Sequence, residues 1–136
     1  MSAYCFDTDV LSATLWRRPP IELVRALAQV APEHQFTTSI TVGELLYGAR
    51  KRGSLRLTHQ IREVVLAALT VLPFDETAAR AYAEVRTDLE QAGQRLDEPD
   101  LRIAAIALSR DLTLVTGNVR HFERVKGLHV ENWIHA

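Results

Sequence analysis

Short apolar runs of strand length alternate with segments of helical periodicity along almost the whole of this chain. The runs that predict strands span residues 3–6, 36–40, 70–72, 113–116 and 128–131. Helical spacing of apolar side chains predicts helices within residues 10–16, 21–30, 41–47, 55–68, 76–92 and 97–109. Because strands that alternate with helices are typical of parallel βαβ units, the pattern predicts an α/β fold on a mainly parallel sheet.

The chain has the length of one domain, and its composition excludes several classes of protein. No repeat or linker divides the 136 residues, so we expect residues 1–136 to form a single domain. A net charge of -1 excludes a strongly basic nucleic-acid-binding protein. Cys5 is the only cysteine, which excludes a disulfide framework and a cysteine-based zinc cluster within one chain. No apolar stretch approaches about twenty residues, so we expect a soluble, cytoplasmic protein without a membrane partner.

Four polar residues stand next to apolar segments, where the carboxyl edge of a parallel sheet is expected: Asp7, Glu44, Asp100 and Asn118. Ligands of open α/β sheets bind at that edge, so we expect these side chains to converge. Two carboxylates about 4 Å apart repel by roughly 4 kcal/mol at an effective dielectric constant near 20, and a proton or a cation must offset this repulsion. Oxygen ligands suit Mg²⁺ or Mn²⁺, and such ions promote hydrolysis of phosphodiesters.

Each of these residues also has a purely structural explanation. Asp7 or Asp9 can cap the helix that begins near residue 10. The segment 41–44 has the form of a capping box, and the segment 97–100 can open a helix with an early proline. Asn118 follows a glycine and can serve as a turn residue. Only their convergence in one pocket would distinguish a metal site from four separate caps and turns.

The same segments resemble the successive motifs of PIN-domain ribonucleases, and most closely the VapC-type toxins of bacterial toxin–antitoxin pairs. The matching segments span residues 6–12, 41–48, 100–105 and 114–133, in the expected order and length. The resemblance implies a three-layer α/β/α sandwich with a mainly parallel sheet of four or five strands. It also implies that the chain is one PIN domain.

The resemblance assigns the acidic catalytic positions of the family to Asp7, Glu44 and Asp100. It implies that Asp7 and Asp100 hold Mg²⁺ or Mn²⁺, while Glu44 completes the ligand set or orients the attacking water. The fourth position falls on Asn118, where many relatives carry a carboxylate and where a carbonyl oxygen can still bind an ion or a water. The expected supporting side chains are Thr8, Asp9, Asp97 and Thr116.

Basic residues follow two of the acidic motifs and are candidates for contact with RNA phosphates: Arg50, Lys51, Arg52, Arg120 and Arg124. Such contacts provide affinity that depends on salt but little choice of sequence. A solvated surface is the alternative for any arginine-rich run. We expect His121 to contact RNA or solvent rather than a metal, because no second histidine lies at ligand spacing.

The function implied by the resemblance is that of a Mg²⁺- or Mn²⁺-dependent endoribonuclease, the toxin of a VapBC pair, which cuts transfer or ribosomal RNA and thereby inhibits translation and growth. The implied partners are a cognate VapB-type antitoxin in a heterocomplex and a second copy of the chain in a homodimer. Two alternatives remain. One is a haloacid-dehalogenase-type phosphatase that uses Asp7 and Asp9, and the other is a catalytically silent PIN-like RNA-binding module.

Overall fold

A parallel sheet forms the centre of the computed structural model, which describes residues 2–134. Within that range it has five strands: β1 (Tyr4–Phe6), β2 (Gln35–Thr38), β3 (Thr70–Leu72), β4 (Thr113–Val115) and β5 (Val130–Glu131). Their order is β3-β2-β1-β4-β5, and every neighbouring pair is parallel. The strand order reverses at β1, which pairs with both β2 and β4. Ligand sites of open α/β sheets lie at such a reversal, outside the carboxyl ends of the strands.

Helices connect the strands. Over residues 2–134 they are α1 (Thr8–Thr14), α2 (Ile21–Ala28), α3 (Ser39–Lys51), α4 (Leu55–Gln60), α5 (Glu76–Gln91), α6 (Glu98–Ser109) and α7 (Val119–Phe122). The helix predicted for residues 55–68 is confirmed over its length, although α4 continues as a π-helical turn (Ile61–Val65) and a 3₁₀ turn (Leu66–Ala68). The short helix α7 was not predicted. Four residues are too few to show helical periodicity.

Apolar side chains alternate between the two faces of the sheet. Cys5 and Leu114 belong to a cluster with α5 and α6, whereas Phe6 and Val115 belong to a second cluster with α1, α2 and α3. This alternation follows from the two-residue period of a strand. Helix α6 is buried along most of its length, as its apolar sequence predicts. Helices therefore cover both faces, and the predicted three-layer α/β/α arrangement with a parallel sheet is confirmed.

The junction between β2 and α3 corrects two predictions. The strand predicted for residues 36–40 ends at Thr38, and α3 begins at Ser39 rather than at Thr41. Thr38 is the N-cap, since its hydroxyl accepts a hydrogen bond of 3.0 Å from the backbone N–H of Thr41. The alternative explanation of Thr41 and Glu44 as a capping box is therefore excluded. Glu44 lies beyond the first turn, where the helix dipole stabilises a carboxylate less than at the N-terminus.

None of the helices formed by residues 2–134 combines the length and the apolar character needed to span a bilayer.

Candidate functional site

The carboxyl end of β1 carries the most buried acidic side chain near the strand reversal. Asp7 directly follows β1, is only 6% exposed, and caps α1. Its Oδ1 accepts a hydrogen bond of 2.7 Å from the backbone N–H of Thr8, and its Oδ2 accepts one of 2.8 Å from the hydroxyl of Thr116. The backbone N–H of Asp7 donates to the carbonyl of Val115 at 3.0 Å. The carboxylate is thus fixed by both α1 and the end of β4.

Glu44 reaches the same edge of the sheet from α3. The hydroxyl of Thr8 donates to Oε1 of Glu44 over 2.5 Å. Thr8 therefore donates to two carboxylates, to Asp7 through its backbone and to Glu44 through its side chain. This double contact brings together two acidic residues that lie far apart in the sequence.

Asp100 lies in the first turn of α6, and its side chain contacts a histidine on α7. Nε2 of His121 lies 3.0 Å from Oδ2 of Asp100, and the two side chains are 24% and 26% exposed. From the sequence, His121 was expected to contact RNA or solvent and was not assigned to the acidic site. Its position three residues after Asn118 was the only signal, and that signal does not identify a contact with α6. The structure therefore adds one side chain to the predicted set.

The carboxylates influence each other electrostatically. Burial is the main cause that raises the pKa of Asp7 to about 7, and the negative charges of Asp9 and Asp100 raise it further, against the opposing hydrogen bonds from Thr116 and Thr8. Partial burial also raises the pKa of Asp100; the charges of Glu44 and Asp97 add to this effect, whereas His121 lowers that pKa. Negative charge is therefore concentrated where β1, α3 and α6 meet, and a bound cation would relieve it.

The oxygen donors of the site meet the needs of a hydrated divalent cation. Among residues 2–134, no three His, Cys, Asp or Glu side chains stand close enough to form a ready-made metal cage. Hard cations such as Mg²⁺ do not need one, because they keep several waters and use one or two carboxylates. Asp7 and Asp100 are two oxygen donors, and the negative charge of Asp100 contributes to the raised pKa of Asp7. The residues present fit a hydrated divalent cation.

The remaining predicted residues differ in their contacts and exposure. Oδ2 of Asp9 accepts a hydrogen bond of 2.9 Å from the backbone N–H of Gly117. Asn118 is exposed, and its backbone N–H donates to the hydroxyl of Thr116 at 3.1 Å. Asp97 is the exposed N-cap residue of α6, and its side chain makes no capping hydrogen bond. Asn118 and Asp97 thus lie at the solvent side of the site.

Of the predicted basic residues, Arg52 is the one that lines a groove with Glu44. This groove has a volume of about 260 Å³, and Thr8 and Trp16 also line it. All five predicted basic residues are exposed, namely Arg50, Lys51, Arg52, Arg120 and Arg124. Arg124 is additionally held by a hydrogen bond of 3.2 Å to the carbonyl of Arg95.

Comparison with known proteins gives a consistent result. The PIN domain family profile matches residues 4–128. Ribonuclease VapC2 of Haemophilus influenzae is 36% identical over 134 residues, which cover 98% of this chain and 100% of that protein. The tRNA(fMet)-specific endonuclease VapC of Salmonella typhimurium is 32% identical over 133 residues, which cover 98% of this chain and 99% of that protein.

A solved structure agrees with these sequence relatives. The VapBC2 complex of Rickettsia felis, bound to a DNA fragment from its promoter, contains a chain that superposes with a TM-score of 0.87 at 30% identity. The match covers 96% of this chain and 98% of that one. Ribonucleases of the PIN family generally depend on a divalent metal ion. The chain belongs to the PIN domain family and, within it, to the VapC ribonucleases.

Proposed function

We propose that this chain is a Mg²⁺- or Mn²⁺-dependent endoribonuclease and the toxin of a VapBC-type toxin–antitoxin pair. The observation that carries the proposal is the buried Asp7 carboxylate, which stands at the strand reversal beside Glu44 and senses the charge of Asp100. Close sequence relatives that are ribonucleases support it. The proposed enzyme is a single PIN domain over residues 1–136 that acts in the cytoplasm.

The proposed chemistry assigns a task to each carboxylate. Asp7 and Asp100 hold the cation, directly or through its waters, and Glu44 accepts a hydrogen bond from the attacking water. Thr8 fixes the orientation of Glu44, and Thr116 fixes that of Asp7. When bound, the cation polarises the scissile phosphate and offsets the negative charge that develops during hydrolysis. The side-chain carbonyl of Asn118 is exposed at the rim, where it can hold a water.

Basic side chains around the pocket provide the proposed contacts to the RNA backbone. Arg52 is a candidate because it lines the groove that contains Glu44. Arg50, Lys51, Arg120 and Arg124 are exposed and can contribute phosphate contacts farther along the strand. Each phosphate that is neutralised makes the affinity depend more steeply on salt.

The proposed partners follow from the relatives. The Rickettsia felis structure is a VapBC2 complex on promoter DNA, and we extend to this chain a VapB-type antitoxin and a toxin–antitoxin heterocomplex. We also propose a homodimer. The Salmonella relative is named for its action on tRNA(fMet), which supports transfer RNA as a substrate class beside ribosomal RNA.

The alternatives from sequence are not favoured. In a haloacid-dehalogenase-type phosphatase, Asp9 would serve as the acid–base partner of Asp7, but its Oδ2 accepts a hydrogen bond from Gly117. A catalytically silent RNA-binding module is not favoured by relatives named as ribonucleases.

One experiment separates these functions. The purified chain is incubated with single-stranded RNA or with a small phosphomonoester, in EDTA and with added Mg²⁺ or Mn²⁺. We expect cleavage of RNA only with the added cation and no hydrolysis of the phosphomonoester. Asp88→Asn removes an exposed carboxylate on α5, outside the proposed site, and this control variant should cleave at the rate of the parent. Cleavage in EDTA, or phosphatase activity without ribonuclease activity, would contradict the proposal.

A further inference from the structure

His121 occupies a fixed position beside Asp100. It lies on α7, which follows β4 after a three-residue connection, and its neighbour Phe122 is 1% exposed and belongs to the core. The imidazole meets the ring of Phe122 edge to face, with centroids 5.6 Å apart. Its Nε2 lies 3.0 Å from Oδ2 of Asp100, and the imidazole is 24% exposed. The burial of Phe122 therefore sets where the imidazole can lie.

The three carboxylates of the site are held by different kinds of donor. Asp7 is held by a backbone N–H and a threonine hydroxyl, and Glu44 is held by a threonine hydroxyl. Among the described side-chain contacts, Asp100 is the carboxylate of these three that is held by an imidazole. The charges of Glu44 and Asp97 both act on Asp100. His121 is therefore positioned to keep this carboxylate, which is 26% exposed, in one orientation.

We propose that His121 is a positioning residue, which donates its Nε2–H to Oδ2 of Asp100 and leaves Oδ1 available to a divalent cation or one of its waters. Nε2 donates to an ionised carboxylate whether or not Nδ1 also carries a proton. The inference deepens the proposed function and depends on it. It goes beyond the expectation that His121 contacts RNA or solvent, because Nε2 lies 3.0 Å from Oδ2 of Asp100.

The expected consequence is a change in metal affinity rather than in folding. Removal of a hydrogen-bond partner from a metal ligand typically reduces metal affinity or activity by about 10- to 100-fold. We therefore expect His121→Ala to weaken the binding of Mn²⁺ by about 10-fold or more. His121→Gln places an amide N–H near the position of Nε2 and should restore most of that affinity.

The test measures Mn²⁺ binding directly. Free Mn²⁺ is followed by electron paramagnetic resonance during titration of the full chain without RNA, for the parent, His121→Ala, His121→Gln and Asp100→Asn. Thermal unfolding of each protein without metal reports whether the fold is retained. His129→Ala is the matched control, since His129 is exposed and its backbone carbonyl, which accepts from Leu114, is unchanged by the substitution. Ribonuclease rates are then recorded across a range of Mn²⁺ concentrations.

The possible outcomes distinguish the inference about His121 from the proposed ribonuclease function on which it depends. Weaker Mn²⁺ binding in His121→Ala, rescue by His121→Gln and recovery of the cleavage rate at high Mn²⁺ support the inference. Parent-like Mn²⁺ binding in His121→Ala, while Asp100→Asn loses binding, overturns the inference alone. A raised KM for RNA with unchanged Mn²⁺ binding overturns it in favour of an RNA contact. A parent protein that neither binds Mn²⁺ nor cleaves RNA overturns both proposals.

Discussion

The surroundings of Asp7 and of Asp100, the two sides of the acidic site, are built differently. On the Asp7 side, the carboxylate directly follows a central strand and is fixed by donors from α1 and from the end of β4. On the Asp100 side, the carboxylate lies in the first turn of a helix, is half-buried, and is held by one side chain from the four-residue helix α7. The Asp7 side is thus set by the sheet itself. Among the contacts described for residues 2–134, the Asp100 carboxylate has one side-chain hydrogen-bond partner, His121, and this side is the easier one to alter.

Charge removal on each side gives the largest expected effect. Asp7→Asn and Asp100→Asn should each lower the rate of RNA cleavage by at least about 100-fold, because charge stabilisation by a metal is worth several kcal/mol and each 1.36 kcal/mol is tenfold. The two variants should differ in stability. Without metal at neutral pH, Asp7→Asn should be more stable than the parent, since it removes a buried charge, whereas Asp100→Asn should change little. Cleavage rates and thermal unfolding measure the two effects. An Asp7→Asn protein that cleaves RNA at the parent rate would contradict the role proposed for Asp7.

The burial of Asp7 is also expected to make the free energy of unfolding depend on pH. The pKa of Asp7 is raised to about 7 in the folded protein, from an ordinary value of 3.8. The proton is therefore bound more tightly in the folded state, and stability from this group is fully present below the ordinary pKa and is lost as pH rises through about 7. We expect the free energy of unfolding of the metal-free protein to fall by a few kcal/mol between about pH 4 and pH 8.

Urea unfolding in EDTA across that pH range measures this slope. Asp7→Asn should remove most of it, because the amide does not titrate. Saturating Mg²⁺ or Mn²⁺ should restore stability at the upper end of the range in the parent. An equal slope in the parent and in Asp7→Asn would show that Asp7 is not the group responsible.

A smaller effect is expected at the loop that joins the two sides. A Cβ at position 117 would lie 2.6 Å from Oδ2 of Asp9 and 3.2 Å from Cδ1 of Ile134. Gly117→Ala should therefore displace Asp9 and cost roughly 1–3 kcal/mol, the usual range for added volume at a packed position. The matched control is Gly43→Ala, where a Cβ would meet nothing within 4 Å.

A double-mutant cycle with Asp9→Ala tests the cause of this loss. Removal of the Asp9 carboxylate also removes one of the atoms that the new methyl group would meet. The cost of Gly117→Ala should therefore be smaller in the Asp9→Ala background, and urea unfolding of the four proteins gives the coupling. Strict additivity would assign the loss to Ile134 or to the backbone instead.

The sheet could be predicted from sequence because its strands are apolar runs separated by helical segments. The end of β2 could not, since Thr37, Thr38 and Ser39 are all compatible with either a strand end or a helix cap. The hydroxyl of Thr38 fixes the start of α3, because it accepts a hydrogen bond from the backbone N–H of Thr41. Local pattern therefore identifies an element more reliably than it places the boundary between two elements.

The acidic residues of the site were proposed from their positions and from the family resemblance, whereas their contacts were not. His121 and Asp100 are 21 positions apart, and Thr8 and Glu44 are 36 apart. Such pairings depend on how α1, α3, α6 and α7 pack around the sheet, and no local spacing encodes them. The contact of His121 with Asp100 was missed for this reason, because it depends on the packing of α7 against α6.

The double role of Thr8 has an evolutionary consequence. Any residue except proline at position 8 supplies the backbone N–H that Asp7 uses, but only a side chain with a donor of similar reach can serve Glu44. Mutation at this position can therefore release the acid on α3 while the acid after β1 stays anchored. A substitution at position 8 can therefore change the orientation of Glu44 while the backbone hydrogen bond to Asp7 is retained.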